Sequence, residues 1–510
     1  MANNLRELLA ERALAAPDKP FLFSEADGRR WTYKEFDEAV NRTAHMLAAR
    51  ELIKKGDVVS LLLPNGAEYL IAYFACFKTG ALAGPVNSLL KPEEIAYVLN
   101  NSESKLLLTN SEFLPRLEGL QEQIPSLRRV LVFDDWDEAT LGLSEDNHEK
   151  WDDAPLARDD EAIIIYTSGT TGRPKGCLLT HGNLIANARQ IVEWLGFTER
   201  DRLLSVMPLF HMNAVSVTTM SALYAGGSTV VSPRFSASRF WQIISDYQVT
   251  SFGSVATMLS MLLATYPEGV PEGLKTDSLR FAMCGSAPVP AEVLRRFEET
   301  FGCLVVEGYG LSESTCRSTF NPPDARRRPG SCGLSIGNEM RVVDEEDIEV
   351  AAGELGEIVM RGENIFKGYF RNAEATERAF RGGWFHTGDI AYRDAEGFFY
   401  IADRKSDMII RGGENIYPRE IDELLYKHPD VAEAAAVGVP DELYGEEVAA
   451  FVVLKEGRAA TEEEVIAFCR EHLADFKCPK SVHFREALPK GPTGKVLKRE
   501  LARAMREPRT

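Results

Sequence analysis

The sequence predicts an α/β protein. A large N-terminal domain of β-sheets flanked by helices carries a small β subdomain, and a small α+β C-terminal domain follows. Three observations lead to this. From residue 30 to about 315, short apolar runs alternate with amphipathic stretches. After about 320 the runs shorten and are joined by turns. From about 407 a compact unit of roughly 100 residues begins, a common domain size. At 510 residues the chain exceeds what one core ordinarily serves, so two or more domains are expected.

Taken in order, apolar residues at helical spacing predict helices over 36–49, 69–79 and 92–100. Short apolar runs predict strands over 58–63, 105–109 and 129–133. Residues 145–160 are charged and aperiodic, and read as an exposed connection. Ala162-Ile-Ile-Ile165 reads as a buried strand. Strands of the β subdomain are expected over 339–343, 356–361 and 397–402, with a turn at Asp394-Ala-Glu-Gly397. In the last unit Ile421, Leu424 and Leu425 share one helical face, and strands follow over 434–439 and 448–454. Thr461-Glu-Glu-Glu464 is a capping box opening a helix whose core face is Val465, Phe468, Cys469 and Leu473.

The bulk numbers, 45% hydrophobic and 26% charged, place the chain among soluble globular proteins. A net charge of −19 argues against general affinity for nucleic acid or an anionic membrane surface. It leaves a small anionic ligand open, since local cations decide that. No run approaches the ~18–20 apolar residues of a membrane helix. Glu7 and Glu11 stand where a signal peptide would be apolar. The eight cysteines form no CxxC and no Cys/His cluster, so a cytoplasmic location is expected.

The stretch Tyr166-Thr-Ser-Gly-Thr-Thr-Gly-Arg-Pro-Lys-Gly176 follows the run at 162–165. Its glycines allow tight turns and close approach. Thr167, Ser168, Thr170 and Thr171 supply hydroxyls and Lys175 supplies charge, a set suited to phosphate oxygens. The plain alternative is a flexible surface loop. It is not a Walker loop, because Lys175 is followed by Gly176, and Gly308-Tyr-Gly310-Leu-Ser-Glu313 is not GxGxxG.

Four further segments accompany it in order: Val306-Glu-Gly-Tyr-Gly-Leu-Ser-Glu313, Gly383-Trp-Phe-His-Thr-Gly-Asp389, Asp403-Arg-Lys-Ser-Asp-Met-Ile-Ile-Arg-Gly-Gly-Glu-Asn415 and Pro492-Thr-Gly-Lys-Val-Leu-Lys498. With these the chain resembles the adenylate-forming superfamily, and within it the AMP-forming acyl-CoA synthetases. It is similar to fatty-acid–CoA ligases and to carnitine/crotonobetaine–CoA ligases. The resemblance implies two steps: a carboxylate attacks the α-phosphorus of ATP, and a thiol then displaces AMP from the acyl-adenylate. It implies ATP, Mg²⁺ and CoA as cofactors.

By that resemblance Thr167, Ser168, Gly169, Thr170, Thr171, Gly172 and Lys175 hold phosphates, and Ser312 touches the α-phosphate where the family usually has Thr. Glu313 holds Mg²⁺. Gly285, Ser286, Ala287, Glu307, Gly308 and Tyr309 wall the adenine, with Tyr309 stacked on it, while Asp389 takes the ribose and Arg404 assists at the ribose or a phosphate. Lys495 reaches the carboxylate and α-phosphate in the first step, and Lys498 and Arg499 are expected to matter little. The implied division is an adenylation domain over 1–402, a hinge at 403–406 with Ser406 where the family usually has Asp or Lys, and a mobile C-terminal domain over 407–510. Rotation of that domain would present Arg411, Gly412 and Gly413 to the thiol.

His211 is expected beside the acyl site. Met212, Asn213, Val215, Ser254, Cys284, Gly308, Gly310, Leu311 and Thr315 are expected to line the acyl pocket, with Gly308 and Gly310 leaving room at its back. No cation stands out in the sequence to bind a second carboxylate, so a medium- or long-chain fatty acid is the expected substrate. Carnitine, crotonobetaine or an aromatic acid is the alternative. With Thr510 soon after Lys495, free CoA is the expected thiol, and an acyl-AMP ligase loading a carrier protein is the other reading. A non-enzymatic relative would have lost Lys495, Glu313 or Asp389, and all three are present. An α/β-hydrolase would need GxSxG, which Gly310-Leu-Ser-Glu-Ser314 lacks. Oligomeric state is not legible.

Overall fold

The computed structural model describes residues 2–134, 155–167, 174–285, 291–491 and 496–506. Among them four sheets carry the architecture. The alternating part of the chain is dealt into two large sheets. One runs Gly368–Tyr369, Lys175–Thr180, Glu161–Thr167, Leu82–Pro85, Val58–Leu62, Leu106–Thr109, Arg129–Val132 from edge to edge. The other runs Leu334–Ser335, Thr319–Phe320, Leu304–Tyr309, Phe281–Cys284, Ser251–Ser254, Arg202–Ser205, Ser228–Val231, Pro20–Ser24, Arg30–Thr32. Inner strands pair in parallel, as Val58–Leu62 does with both its neighbours. Parallel neighbours need crossovers, and helices such as Ala67–Thr79 and Ala291–Phe301 supply them. Periodicity locates these elements but does not sort strands between sheets. Val58–Leu62 is buried at every position, so neither face is marked.

The first three expected helices form at Tyr33–His45, Ala67–Thr79 and Pro92–Asn101. The first opens on a capping box of Thr32 and Glu35 and runs on as a π-helical turn, Met46–Arg50. In the β subdomain Glu339–Val343, Gly356–Arg361, Trp384–Arg393 and Phe380–Arg381 lie side by side, and Phe399–Arg404 pairs with Trp384–Arg393. The strand expected at 397–402 is displaced two residues. Asp394 Oδ1 accepts hydrogen bonds from the N–H groups of Glu396 and Phe398, and Gly397 takes φ +92°, so the turn holds through 398. Asp403 and Arg404 therefore end a strand, and the chain turns at 405–407.

Beyond that turn lies a fourth sheet: Glu414–Ile416, Ile409–Arg411, Gly445–Leu454 and Val431–Asp441, with Ser481–Phe484 parallel to Gly445–Leu454. Helix Pro418–Leu425 buries Ile421, Leu424 and Leu425 against it. Helix Glu462–His472 opens on the Thr461–Glu464 capping box and buries Val465 and Cys469. Buried apolar residues from Ile409 to Leu501 form clusters of their own, apart from the large cluster that runs from Ala2 to Phe399. All eight cysteines are free, and all but Cys332 are buried. Among the described residues no helix is long and apolar enough to cross a membrane.

Lys498 is not the spare lysine the sequence suggests. Its Nζ lies 2.6 Å from Asp422 Oδ2, with 18% and 16% of the two side chains exposed. Burial pushes the ammonium down, but Asp422 and Asp403 outweigh it and hold its pKa above the ordinary value. The pair ties helix Lys498–Arg506 to helix Pro418–Leu425. Removing one partner leaves a largely buried charge alone, so Lys498→Ala is expected to destabilise by about 3 kcal/mol, read as a lower urea midpoint.

Candidate active site

The hairpin of Glu161–Thr167 and Lys175–Thr180 sets Thr167 opposite Lys175. Gly368–Tyr369 pairs with Lys175–Thr180, so both strands of this pair lie inside the sheet. Ser168, Gly169, Thr170, Thr171 and Gly172 lie outside the described residues. Thr167 and Lys175 face a cavity of about 650 Å³. Ser312 and Glu313, in the turn after Leu304–Tyr309, face it from the other large sheet, and Arg404 faces it from the end of its strand.

Tyr369 ties the first two groups together. Its hydroxyl donates to Glu313 Oε1 at 3.0 Å, and Lys175 Nζ sits 5.0 Å over its ring. Burial raises the pKa of Glu313, against the Tyr369 hydrogen bond and the charge of Arg404. Thr315, two residues on, holds φ +68°, a conformation a β-branched residue adopts only under constraint. Its Oγ1 donates to the Asn364 carbonyl at 2.7 Å.

Asp389 is 3% exposed. It accepts a hydrogen bond from the Tyr309 hydroxyl on one oxygen, and Arg404 Nε lies 3.1 Å from the other. The pair sits where the strands Trp384–Arg393 and Phe399–Arg404 place Asp389 opposite Arg404. Glu307 is buried, and burial pushes its carboxyl up to about 8. Gly285 is described, whereas Ser286 and Ala287 are not.

His211 precedes an eight-residue π-helix, Asn213–Met220, a rare form often found at functional sites. Its Nε2 has no hydrogen-bond partner among the described residues, and burial lowers its pKa to about 4, so the ring is neutral near pH 7. His211, Met212, Asn213, Gly310 and Leu311 border the cavity. Val215, Ser254, Cys284 and Thr315 are buried but do not line it. The Ser254 hydroxyl is taken by the Met283 carbonyl.

Two expectations about the acyl end are corrected. Gly308 and Gly310 do not leave open room. A Cβ on Gly308 would lie 2.5 Å from the Phe320 ring, and one on Gly310 would fall on the Cys316 carbonyl. These glycines admit the segment 316–320. That segment brings in the cation the sequence reading missed: Arg317, 2% exposed, lines the cavity. Its signal was a lone charge in the otherwise uncharged run between Glu313 and Asp324. Tyr369, Arg378 and Arg381 also border the cavity, outside the quoted motifs, and so does His386, which lies within the segment 383–389 but was given no role.

In the small domain Arg411 pairs with Glu447 at 2.6 Å and lies 3.9 Å over the Tyr444 ring, with Gly412 and Gly413 at φ +58° and +93°. None of the three borders the cavity. Lys495 lies outside the described residues.

The donor set suits Mg²⁺. Among the described residues no group of three His, Cys, Asp or Glu side chains forms a metal cage; two carboxylates, Glu313 and Glu357, border the cavity, together with cations suited to phosphates. Mg²⁺ takes one or two carboxylates and completes its shell with phosphate oxygens and water.

Comparison with known proteins agrees with this chemistry. Residues 9–370 match the AMP-binding enzyme family, and residues 420–495 match the AMP-binding enzyme C-terminal domain. The chain is 38% identical to a sulfoacetate–CoA ligase of Cupriavidus necator, over 98% of this chain and 97% of that protein. It is 36% identical to a long-chain-fatty-acid–CoA ligase of Mycobacterium tuberculosis, over 97% of each. The crystal structure of ATP-bound MatB from Rhodopseudomonas palustris superposes with a TM-score of 0.90 at 32% identity, covering 99% of each chain.

Proposed function

The chain belongs to the AMP-binding enzyme family and is an AMP-forming acid–CoA ligase that uses ATP, Mg²⁺ and CoA; on that premise we propose the roles of its residues and the kind of acid it takes. The observation that carries the roles is the convergence of Lys175, Glu313 and Arg404 on one cavity, with Asp389 paired to Arg404 behind it. Lys175, Thr167 and Ser312 bind phosphate oxygens. Glu313 holds Mg²⁺, which when bound would neutralise phosphate charge. Asp389, already oriented by Tyr309 and Arg404, accepts the ribose hydroxyls. His211, neutral and with no partner for Nε2 among the described residues, lines the acid's path without repelling or trapping its carboxylate. Lys495 brings its charge to the carboxylate and α-phosphate, and the Arg411–Gly413 turn meets the thiol.

These roles need two bodies and a joint. Separate apolar clusters on either side of residue 407 support a division into 1–402, a hinge at 403–406, and 407–510. Across the joint, Asp403 Oδ2 accepts from the Arg419 N–H at 2.8 Å, a bond that must change if the small domain turns.

The acid is compact. A medium- or long-chain fatty acid needs depth behind Gly308 and Gly310, and Phe320 and Cys316 occupy that space. Of the relatives named above, one acts on sulfoacetate and one on long-chain fatty acids; the filled back of this cavity favours the first kind. The test is AMP formation with ATP and Mg²⁺ over acids of two to four carbons, octanoate, palmitate, benzoate and carnitine, each with and without CoA. A compact acid should exceed palmitate at least roughly ten-fold in kcat/KM, and turnover should require CoA. Faster palmitate would restore the fatty-acid reading. Turnover independent of CoA would point to a carrier-protein acceptor.

A further inference from the structure

We propose that Arg317 binds a second anionic group, a carboxylate or sulfonate, at the far end of the acid being activated. The inference rests on the acid–CoA ligase reading above and names its substrate class. Arg317 is among the largest fully buried side chains of the chain. Its Nε and Nη2 have no hydrogen-bond partner among the described residues, and no carboxylate there pairs with it. A guanidinium does not give up its proton, so this is a permanent buried charge with unmet donors. Leaving such a charge alone is strongly unfavourable. Among the described residues the Phe320 ring lies 5.5 Å from it, a modest compensation.

The protein nevertheless holds this cation in place. The Arg317 carbonyl accepts from Asn187 Nδ2 at 2.6 Å, and its N–H donates to Asn187 Oδ1 at 3.3 Å. Asn187 Oδ1 also accepts from the Ser216 hydroxyl at 2.9 Å, inside the π-helix that follows His211. Three glycines clear its way. A Cβ on Gly285 would lie 2.7 Å from Arg317 Nη2, and one on Gly310 would lie 2.8 Å from its Cα, while Gly308 admits Phe320. The cavity it lines also holds His211 and Asn213, whose Nε2 and Oδ1 are likewise without partners. A cluster with this much unsatisfied hydrogen-bonding capacity is built for a polar ligand rather than an alkyl chain.

The group bound is not the reacting carboxylate. A tight guanidinium pair would stabilise that carboxylate in the ground state and blunt its attack on phosphorus. Held instead to a distant anion, the same pair orients the acid and leaves its reacting end free. An acid lacking the second anion would leave Arg317 unpaired, which is how such sites reject analogues.

The test compares malonate and succinate, and 3-sulfopropionate, with the matched monoanions propionate and butyrate, by kcat/KM for CoA-dependent AMP formation. Malonate or 3-sulfopropionate should exceed its matched monoanion roughly 10–100-fold, and which of the two leads tells carboxylate from sulfonate. Arg317→Met should erase that ratio while leaving butyrate within a few-fold, and Arg317→Lys should keep part of it. ATP-induced thermal stabilisation of each variant reports that it is folded with its nucleotide site intact. Should the variants fail to fold, inhibition of butyrate turnover in the unaltered protein decides: malonate should inhibit at least roughly ten-fold more tightly than propionate, and equal inhibition would overturn the proposal. Monoanions turned over as well as dianions, or a ratio unchanged in Arg317→Met, would overturn the role of Arg317 and leave the ligase reading intact. No AMP from any acid would overturn the ligase reading itself.

Discussion

Lys495→Ala is expected to lower adenylate formation by roughly 10²–10³-fold while sparing thioester formation from supplied acyl-adenylate. That is the usual cost of removing one charge-stabilising donor aimed at a transition state. The first step drives a carboxylate onto a polyanion, so it depends on cations arriving with the small domain. The second step expels AMP and needs no such help from Lys495. The flanks of Pro492–Lys495 are secured. Lys490 and Val496 form a β-bridge, the Leu497 N–H donates to the Pro489 carbonyl at 2.8 Å, and Lys498 is anchored on Asp422. Deleting one ammonium from that segment should therefore leave the fold intact. Pyrophosphate exchange into ATP measures the first half-reaction, and CoA thioester formation from synthetic acyl-adenylate measures the second. Equal loss of both in a folded variant would sink the idea that the two steps use different faces of the small domain.

The second large effect concerns Asp389. Asn in its place preserves shape but removes the charge facing Arg404 Nε, and offers one acceptor oxygen where two stood. kcat/KM for ATP should fall roughly 10–100-fold, the scale of a lost charge-assisted hydrogen bond in a buried setting. The decisive readout is nucleotide choice. The unaltered protein should prefer ATP to 2′-deoxy-ATP, and Asp389→Asn should lose most of that preference. A variant that slows both nucleotides equally and keeps the preference would show Asp389 to be a structural partner of Tyr309 and Arg404 rather than a ribose ligand.

Local chemistry was legible in the chain itself. Helix Glu462–His472 could be read from the Thr461–Glu464 capping box, and Val58–Leu62 from its apolar run, because those signals act over a few residues. The resemblance carried by the ordered motifs implied one chemistry for Glu313, Asp389, Arg404 and Lys175, and the fold brings Lys175, Glu313 and Arg404 to one cavity. The assignment of strands to two sheets was not legible, because runs buried on both faces carry no mark of their neighbours.

The acyl end shows the same limit most clearly. Gly308 and Gly310 read as empty space in the sequence, and only the fold shows Phe320 and Cys316 occupying it. Arg317 drew no reading from the sequence, because what buries it, Asn187, 130 residues away, and Gly285, is brought beside it only by the fold. The sequence by itself determined the reaction class, because the motifs are contiguous and their chemistry is local. The tertiary structure alone decided the acid's environment, because burial and pairing depend on residues that only folding brings together.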